Sequence, residues 1–438
     1  MGQSVGVPPR GGARHPGTRS PACPGTVAGS YARPVTLAAA PTPLDLTDPA
    51  VVADPYPAFA RARAEAPVQW HEELGLFLAF THPEANAVLR DRRLGRIWSD
   101  KEPAERFDSF NLIHRNAILE MEPPAHTRLR RLISSAFARG HVERLRPWVE
   151  ELAGRLVDEL VERSGGTEAV DLLSGMAEHL PVAVIAELLG VPEADRHLLR
   201  PWSNAIVKMY EYGRTTEIED DAERAAQEFV AYLRELAAER RKAPGEDLVS
   251  HLVSVRDAEG DALTEDELVT TCILLLNAGH EATVNVSGNG TLALLRNPDQ
   301  LARLRADRSL LPGAIEELIR YDSPLQLFER TATTDVEIGG VTVERGQKIA
   351  ALLGAANRDP AVFTDPDTLD VGRADNPHIT FGAGVHFCIG APLARVELQA
   401  SFGALLDRTS VIELGAEPVR RPEFVIRGLS DLPVVLTA

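Results

Sequence analysis

The sequence is poor in cysteine, in aromatic residues and in long apolar runs. Its 438 residues include three cysteines, Cys23, Cys272 and Cys388, with no C-x-x-C pair. This spacing excludes a disulfide framework or a zinc site and is typical of a reducing cytoplasm. No run approaches the roughly 20 apolar residues that span a bilayer, so we expect no membrane contact. The net charge of −18 argues against nonspecific nucleic-acid binding.

Composition divides the chain into two parts. Residues 1–44 are rich in Pro, Gly and Ala and carry four arginines but no acidic residue, which predicts a disordered N-terminal extension. Residues 45–438 are predicted to form a single domain that is almost wholly helical between 142 and 260. Alternating segments predict a hairpin over 68–80, a small sheet over 336–351 and strands over 424–435. Weak periodicity predicts a long loop over 91–117.

One stretch near the C-terminus, residues 380–397, has the sequence TFGAGVHFCIGAPLARVE. Gly382, Gly384 and Gly390 flank Cys388, so the backbone can turn tightly there. A helical pattern follows, and the N-terminus of a helix would stabilise a thiolate. Taken alone, a single cysteine is more often a small buried residue, whereas a thiolate held in a glycine loop suits haem iron.

The spacing of this stretch decides between those interpretations. FGAGVHFCIG fits the pattern F-x-x-G-x-x-x-C-x-G, so the chain resembles the cytochromes P-450. The resemblance implies that Cys388 is the axial ligand of haem b and that His386 lies beside a haem propionate. It also assigns Phe381, Gly382 and Gly390 to the cofactor loop. The implied fold is mainly α with small β-sheets, with the haem buried between a long I-helix and the cysteine loop with its L-helix.

A capping box at Thr264 predicts a helix that runs from there to Arg296. Gly279 and Glu281 lie inside its apolar part, where a glycine and an acid cost stability. Their presence there indicates function rather than packing.

This part of the helix is similar to the family motif A-G-x-D/E-T, which delivers the protons that oxygen activation consumes. Gly279 and Glu281 match, but Ala282 takes the position of the usual threonine and Thr283 follows one residue later. A hydroxyl one residue on points about 100° away around a helix. We therefore hypothesise that ordered water or a substrate hydroxyl replaces the alcohol; poor coupling or a non-standard reaction stays open.

The segment MEPPAHTRLRRLISSAFA, residues 121–138, resembles the family's C-helix. His126 and Arg130 lie one turn apart, and the resemblance implies that they bind the haem propionates. Arg330 is a third implied propionate ligand. Arg128 and Arg131 are better explained as a solvated basic face.

Glu317 and Arg320 share one face of a predicted helix in the pattern E-x-x-R. A surface ion pair is one interpretation; the resemblance instead implies a structural network behind the haem, with Arg373 as its third member. Residues 201–212 would form a pocket lid or a core contact, and the loop 91–117 a pocket wall. The resemblance assigns five further residues to the substrate pocket: Asn277, Ala278, Leu325, Leu327 and Leu429.

The resemblance implies a soluble, cytoplasmic, monomeric monooxygenase that uses O2 to hydroxylate or epoxidise a small organic substrate. No flavin- or iron–sulfur-binding segment is visible, so a partner must supply the electrons. The resemblance implies that this partner is ferredoxin with ferredoxin reductase, docking near Arg128, Arg131 and Arg395. A peroxide-driven peroxygenase or a rearranging enzyme is the alternative that tolerates Ala282. A non-catalytic haem-binding homologue is a further alternative. Such a protein could dispense with Cys388, Glu281 and the Glu317–Arg320 pair, whereas this sequence retains all of them.

Overall fold

Helices dominate the computed structural model, which describes residues 44–46, 48–134, 139–256 and 260–438. Residues 1–43, the bulk of the predicted N-terminal extension, lie outside the described residues. Within the described ranges, no helix is both long enough and apolar enough to cross a membrane.

Fifteen α-helices and ten short strands occur in the described residues. The helices are α1 (Pro49–Ala53), α2 (Tyr56–Glu65), α3 (His82–Arg90), α4 (Asp108–Arg115), α5 (Ala125–Ser134), α6 (Arg139–Ser164), α7 (His179–Leu189), α8 (Arg196–Val207), α9 (Thr216–Lys242), α10 (Leu248–Ser254), α11 (Glu265–Arg296), α12 (Pro298–Ala306), α13 (Leu311–Tyr321), α14 (Leu353–Ala356) and α15 (Ala391–Arg408). The strands are β1 (Val68–His71), β2 (Leu76–Ala79), β3 (Leu94–Gly95), β4 (Val170–Asp171), β5 (Leu327–Ala332), β6 (Val336–Ile338), β7 (Val341–Val343), β8 (Lys348–Leu352), β9 (Val411–Leu414) and β10 (Pro433–Thr437). The mainly helical fold with small sheets is as predicted.

The long helix α11 is the centre of the main hydrophobic core. Its capping box is confirmed, because the Thr264 hydroxyl accepts from the Glu267 backbone N–H and the Glu267 carboxylate accepts from the Thr264 N–H. The helix packs against α7, α8, α9 and α15. Almost every residue from 268 to 294 is buried in consequence, so this helix is a rigid support for any group that lines a site.

A five-stranded sheet in the order β1-β2-β8-β5-β3 forms a second core region. The predicted hairpin is β1 with β2, and β2 also pairs in parallel with β8, with Phe77 opposite Ile349. The small sheet predicted over 336–351 is therefore divided. β6 and β7 form a hairpin on Gly339 and Gly340, both at positive φ, while β8 joins the larger sheet.

The loop predicted over 91–117 is wrong for its last third, which forms α4. The buried face of α4 includes the polar Asn111 and His114 beside Phe110 and Ile113, so apolar residues alone do not reveal its period. Asn111 can be buried because its amide both accepts from the Lys101 N–H and donates to the Lys101 carbonyl.

The strands predicted over 424–435 are confirmed only at their C-terminal end, where β10 begins at Pro433. Upstream of it the chain makes single bridges, from Ile426 to Leu325 and from Leu429 to Arg420. The buried guanidinium of Arg427 donates to Asp322 and to backbone carbonyls of α1. These side-chain bonds fix the segment in an irregular conformation.

Candidate active site

Cys388 lies on a glycine-rich turn three residues before α15. The turn is closed by the Cys388 N–H, which donates to the Phe381 carbonyl at 2.9 Å. Gly382 and Gly384 have φ of +73° and +68°, and a Cβ on Gly384 would lie 2.7 Å from the Leu89 carbonyl oxygen. Both glycines are therefore required by the backbone path.

Burial raises the pKa of the Cys388 thiol, although the backbone N–H groups of Gly390 and Ala391 and the guanidiniums of Arg130 and Arg395 oppose this effect. The expected donors at the helix terminus are thus present. These groups favour the thiolate as expected, while burial of the sulfur opposes it. Coordination to a metal cation would reverse the balance, since a coordinating thiol loses its proton.

Two guanidiniums near the cysteine turn have no ion pair with any described carboxylate. Arg130 donates to the Val385 carbonyl at 3.2 Å. Arg330 is 2% exposed and donates only to the neighbouring Glu329 carbonyl. Burial lowers the pKa of both, that of Arg330 to about 9. Such groups are costly to bury unless an anion accompanies them.

His126 and His386, the two histidines predicted to lie near the haem propionates, contact each other beside the cysteine turn. The rings of His126 and His386 pack edge to face with centroids 4.6 Å apart, and His386 Nε2 lies 2.9 Å from Glu122 Oε1. Burial, together with His386 and Arg130, lowers the pKa of His126 to about 4, so its ring is neutral at neutral pH.

Glu317 and Arg320 form a fully buried pair, which excludes the surface ion pair. Arg320 donates to both carboxylate oxygens at 2.7 and 2.8 Å, and Arg373 donates to the same carboxylate at 2.9 Å. Arg320 also donates to the carbonyls of Asn357 and Pro366. The trio therefore anchors the chain that leads into the cysteine turn.

One face of α11 is open where the rest of the helix is buried. Ala278 and Ala282, one turn apart, are exposed, and Gly279 and Leu274 are half-buried. The two alanines give a shallow face that can receive a broad, flat group. Gly279 fits closely against α7, because a Cβ there would lie 3.1 Å from Ile185 Cδ1.

The carboxylate of Glu281 is buried and paired with Arg421, whose Nη1 lies 3.1 Å from Oε2. His280 Nδ1 lies 3.9 Å from the other carboxylate oxygen. Arg421 could not be predicted from the sequence, because nothing in its local sequence marks it and 140 residues separate it from Glu281.

The side chain of Thr283 contacts α15, whereas the side chain of Glu281 contacts Arg421 in the C-terminal segment. The Thr283 hydroxyl bonds the carboxyl of Glu397 on α15, and burial raises the pKa of Glu397 well above its ordinary value despite this bond. Burial thus favours the neutral carboxyl form of Glu397. The orientation of Thr283 agrees with the 100° offset expected for the residue after Ala282.

A cavity lies between α4 and α11, one turn from Ala278. Asn277 lines it, whereas Leu325, Leu327 and Leu429 are not among its lining residues: Leu327 pairs with Leu352, Leu325 bridges Ile426, and Leu429 lies near Gly288. Their assignment to the substrate pocket stays a prediction. Within 201–212 only Tyr210 reaches the cavity, because Trp202 stacks on Phe229. The residues around the cavity are Ile113, His114, Ala117, Leu119, Glu120, Tyr210, Ile273, Leu274 and Asn277.

The predicted docking arginines are engaged within the chain. Arg128 pairs with Glu267, with Nη1 3.0 Å from Oε1, and Arg395 pairs with Glu316 at 2.7 Å. Arg131 is exposed. Because Arg128 and Arg395 are paired with carboxylates, the three arginines do not form one isolated basic patch.

Residues 92–428 match the family model of cytochrome P-450. The chain belongs to this family. It is 41% identical to the cytochrome P-450 monooxygenase PikC of Streptomyces venezuelae over 87% of this chain and 91% of the relative. It is 38% identical to 6-deoxyerythronolide B hydroxylase of Saccharopolyspora erythraea over 90% and 98%. The solved structure of CalO2 superposes with a TM-score of 0.82 at 32% identity, covering 90% of this chain and 99% of that one. This cytochrome P-450 is accordingly a monooxygenase.

The residues present fit the haem that the family implies. Cys388 supplies a sulfur on a turn that only glycine permits. Arg130, which is half-buried, and Arg330, which is buried, supply positive charge that no described carboxylate pairs with, which suits a dianionic group. Ala278 and Ala282 leave an open face on α11.

Proposed function

We propose that this cytochrome P-450 uses O2 and electrons from ferredoxin, reduced by ferredoxin reductase, to hydroxylate or epoxidise a small secondary metabolite of terpenoid, steroid or macrolide type. Relatives that are named hydroxylases, such as 6-deoxyerythronolide B hydroxylase and vitamin D(3) 25-hydroxylase, support this class of reaction. Haem b, a monomeric state and a cytoplasmic location belong to the same proposal and rest on the family resemblance.

The observation that carries the proposal is the cysteine turn with two guanidiniums beside it, Arg130 and Arg330, that form no ion pair with a described carboxylate. Cys388 would ligate the iron, and Arg130, His126 and Arg330 would hold the carboxylates of the cofactor. His386 is already bonded to Glu122, so it would act mainly by packing against His126. When bound, haem supplies the oxygen-activating chemistry, and the protein supplies its ligation, orientation and surroundings.

Proton supply is the task of residues on α11. Glu281 holds a buried carboxylate in the turn that carries the open alanine face, and Arg421 fixes its orientation. Ala282 provides no hydroxyl beside it, and Thr283 is bonded to Glu397 instead. Water or a hydroxyl of the substrate would therefore complete the chain of proton donors.

Electron supply requires a docking surface close to the cysteine turn. Phe387, immediately before the ligand, is 42% exposed, and Arg131 is an exposed cation on α5, the helix that carries Arg130. We propose that ferredoxin docks on this face, with Arg131 contributing to electrostatic steering.

The absorption spectrum of the reduced protein with carbon monoxide tests the function. A strongly red-shifted Soret band that Cys388→Ala abolishes is expected for thiolate ligation. A band at the ordinary histidine-ligated position, or failure to bind haem, would contradict the proposal. Turnover driven by peroxide without any reductase would favour the peroxygenase alternative, which Ala282 leaves open.

A further inference from the structure

One carboxylate, that of Glu316 on α13, binds a side chain from each end of the cysteine turn. Upstream of the turn, His378 Nε2 lies 3.1 Å from Glu316 Oε2. Downstream, on α15, Arg395 donates through Nε and Nη2 to the two carboxylate oxygens, at 2.7 and 2.8 Å. The segment that carries Cys388 is therefore held at both ends by one residue that lies outside it and belongs to none of the motifs above.

The three side chains form a unit without net charge. His378 Nδ1 accepts from the Thr380 backbone N–H at 3.4 Å, so the ring proton lies on Nε2 and is donated to Glu316. Burial opposes ionisation of Glu316, but the bonds from Arg395 and His378 lower its pKa to about 2, so its carboxylate is ionised at neutral pH. Its negative charge thus balances the positive charge of Arg395, and His378 adds none.

The guanidinium of Arg395 also contacts the turn itself. It lies over the ring of Phe381, with Cζ 4.6 Å from the ring centroid. The carbonyl of Phe381 accepts the hydrogen bond from the Cys388 N–H that closes the turn. Burial of the sulfur raises the pKa of Cys388, and the positive charge of Arg395 is among the influences that oppose this rise. Arg395 therefore stabilises negative charge on the sulfur.

The strength of that stabilisation depends on Glu316. A carboxylate bonded to both donor groups of a guanidinium carries the opposite charge at nearly the same place, so it cancels most of the field that the cation exerts on a third group. Removing the carboxylate would expose the sulfur to the full charge of Arg395. Removing the guanidinium would leave the negative charge of Glu316 near the turn instead.

We propose that Glu316 is a positioning residue that balances the charge of Arg395 beside the cysteine turn and thereby sets the reduction potential of the haem that Cys388 ligates. The inference rests on this ligation, which belongs to the proposed function. One electron, which ferredoxin supplies in the proposed reaction, adds one negative charge to the site. An unbalanced cation would favour the reduced form, and an unbalanced carboxylate would favour the oxidised form.

Potentiometric titration of the haem-loaded protein with dithionite, followed by absorption spectroscopy, tests the proposal. Glu316→Gln keeps the shape of the side chain and one acceptor oxygen but removes the negative charge. At a fixed applied potential, the ratio of reduced to oxidised protein should rise about tenfold, which is ~59 mV for a one-electron couple. Arg395→Gln removes the cation, and the ratio should fall about tenfold. Shifts of the same sign in both variants, or no shift in either, would overturn the proposal.

The double variant Glu316→Gln/Arg395→Gln separates charge from packing. It restores neutrality, so its ratio should return to within about twofold of that of the unmodified protein, because the two charge effects cancel. Structural damage to the turn would instead accumulate in it, and a double variant displaced as far as either single variant would contradict the proposal. Arg395→Lys keeps the cation and should also keep the potential; a fall as large as in Arg395→Gln would contradict it as well.

Glu219→Gln is the matched control for the change in net charge. Glu219 on α9 pairs with Arg106 at 2.7 Å, and these two side chains are exposed to nearly the same extent as Glu316 and Arg395. The control should leave the potential unchanged. A shift as large as in Glu316→Gln would attribute the effect to the overall charge of the protein and overturn the proposal.

The carbon monoxide spectrum of each sample separates this inference from the proposed function. A thiolate-type band in the unmodified protein, together with equal potentials in all variants, overturns the inference alone. An unmodified protein without that band overturns ligation by Cys388 and the inference with it. Unchanged far-ultraviolet circular dichroism verifies that the variants are folded.

Discussion

The guanidinium of Arg421 lies 3.1 Å from the Glu281 carboxylate and joins the C-terminal segment to the centre of α11. The same guanidinium donates through Nε to the Leu429 carbonyl, and the adjacent Arg420 is paired with Asp322. Glu281 is thus oriented by a residue that lies outside its own helix. A segment that contributes little regular structure therefore controls the candidate proton donor.

Arg421→Gln should weaken the coupling between electron consumption and product formation. Glu281 would lose its charged partner and its fixed orientation, while the rest of α11 stays packed. The measurement is product formed per reductant consumed, with KM and kcat determined separately; kcat and coupling should fall, and KM should change little. The free energy of unfolding should fall by about 1–3 kcal/mol, because a buried acceptor loses its donor.

Arg296→Gln is the matched control for this variant. Arg296 forms an exposed ion pair with Glu417, and such pairs contribute only about 0–1 kcal/mol. Coupling that is the same in Arg421→Gln as in this control would show that Arg421 has no part in proton supply.

Ala282→Thr should raise coupling for substrates that lack a hydroxyl. The new hydroxyl would lie beside Glu281 on the open face of α11, where neither Ala282 nor Thr283 now supplies one. For a substrate with its own hydroxyl near the site of oxidation, the change should be small. Ala282→Val has the same shape without the hydroxyl and serves as control. An equal gain in Ala282→Val would attribute the effect to volume rather than to proton supply.

Local spacing predicted those parts of the molecule that depend on neighbours in the sequence. The capping box at Thr264, the glycine turn around Cys388 and the helical pair Glu317–Arg320 all follow from residues a few positions apart. The family resemblance supplied Arg373, which the structure places on the same carboxylate. The roles proposed for these residues stay predictions.

Other features depend on contacts that spacing does not encode. The helix α4 was missed because Asn111 and His114 are buried with satisfied hydrogen bonds, which hides the apolar period. Arg421 was missed because its partner lies 140 residues away. The leucines at 325, 327 and 429 were assigned to the pocket by resemblance, and that assignment stays a prediction.

Glu317→Gln should destabilise the protein by about 3–5 kcal/mol, because it leaves the guanidiniums of Arg320 and Arg373 without their shared carboxylate in a buried site. Denaturant-induced unfolding followed by circular dichroism measures this change. Asp407→Asn is the control, since its ion pair with Arg308 is exposed and should contribute about 0–1 kcal/mol. Similar losses in both variants would mean that the trio does not anchor the fold.

Glu397→Gln should make stability less dependent on pH. Burial raises the pKa of Glu397 well above 4.5, so the folded protein binds one proton that the unfolded chain releases above about pH 4.5. The unfolding free energy therefore falls by about 1.4 kcal/mol per pH unit as pH rises from that value towards the folded pKa. Glutamine can still bond Thr283 but does not titrate, so the variant should lose this slope and be the more stable protein at high pH.

Denaturant titrations at several pH values between 5 and 8 measure the difference in slope between the two proteins. Glu413→Gln changes an exposed carboxylate on β9 and serves as control. Parallel stability curves for Glu397→Gln and the unmodified protein would show that Glu397 is ionised in the folded state. In that case its carboxylate would need a cationic partner that the contact with Thr283 does not provide, and the neutral bond between α11 and α15 would have to be abandoned.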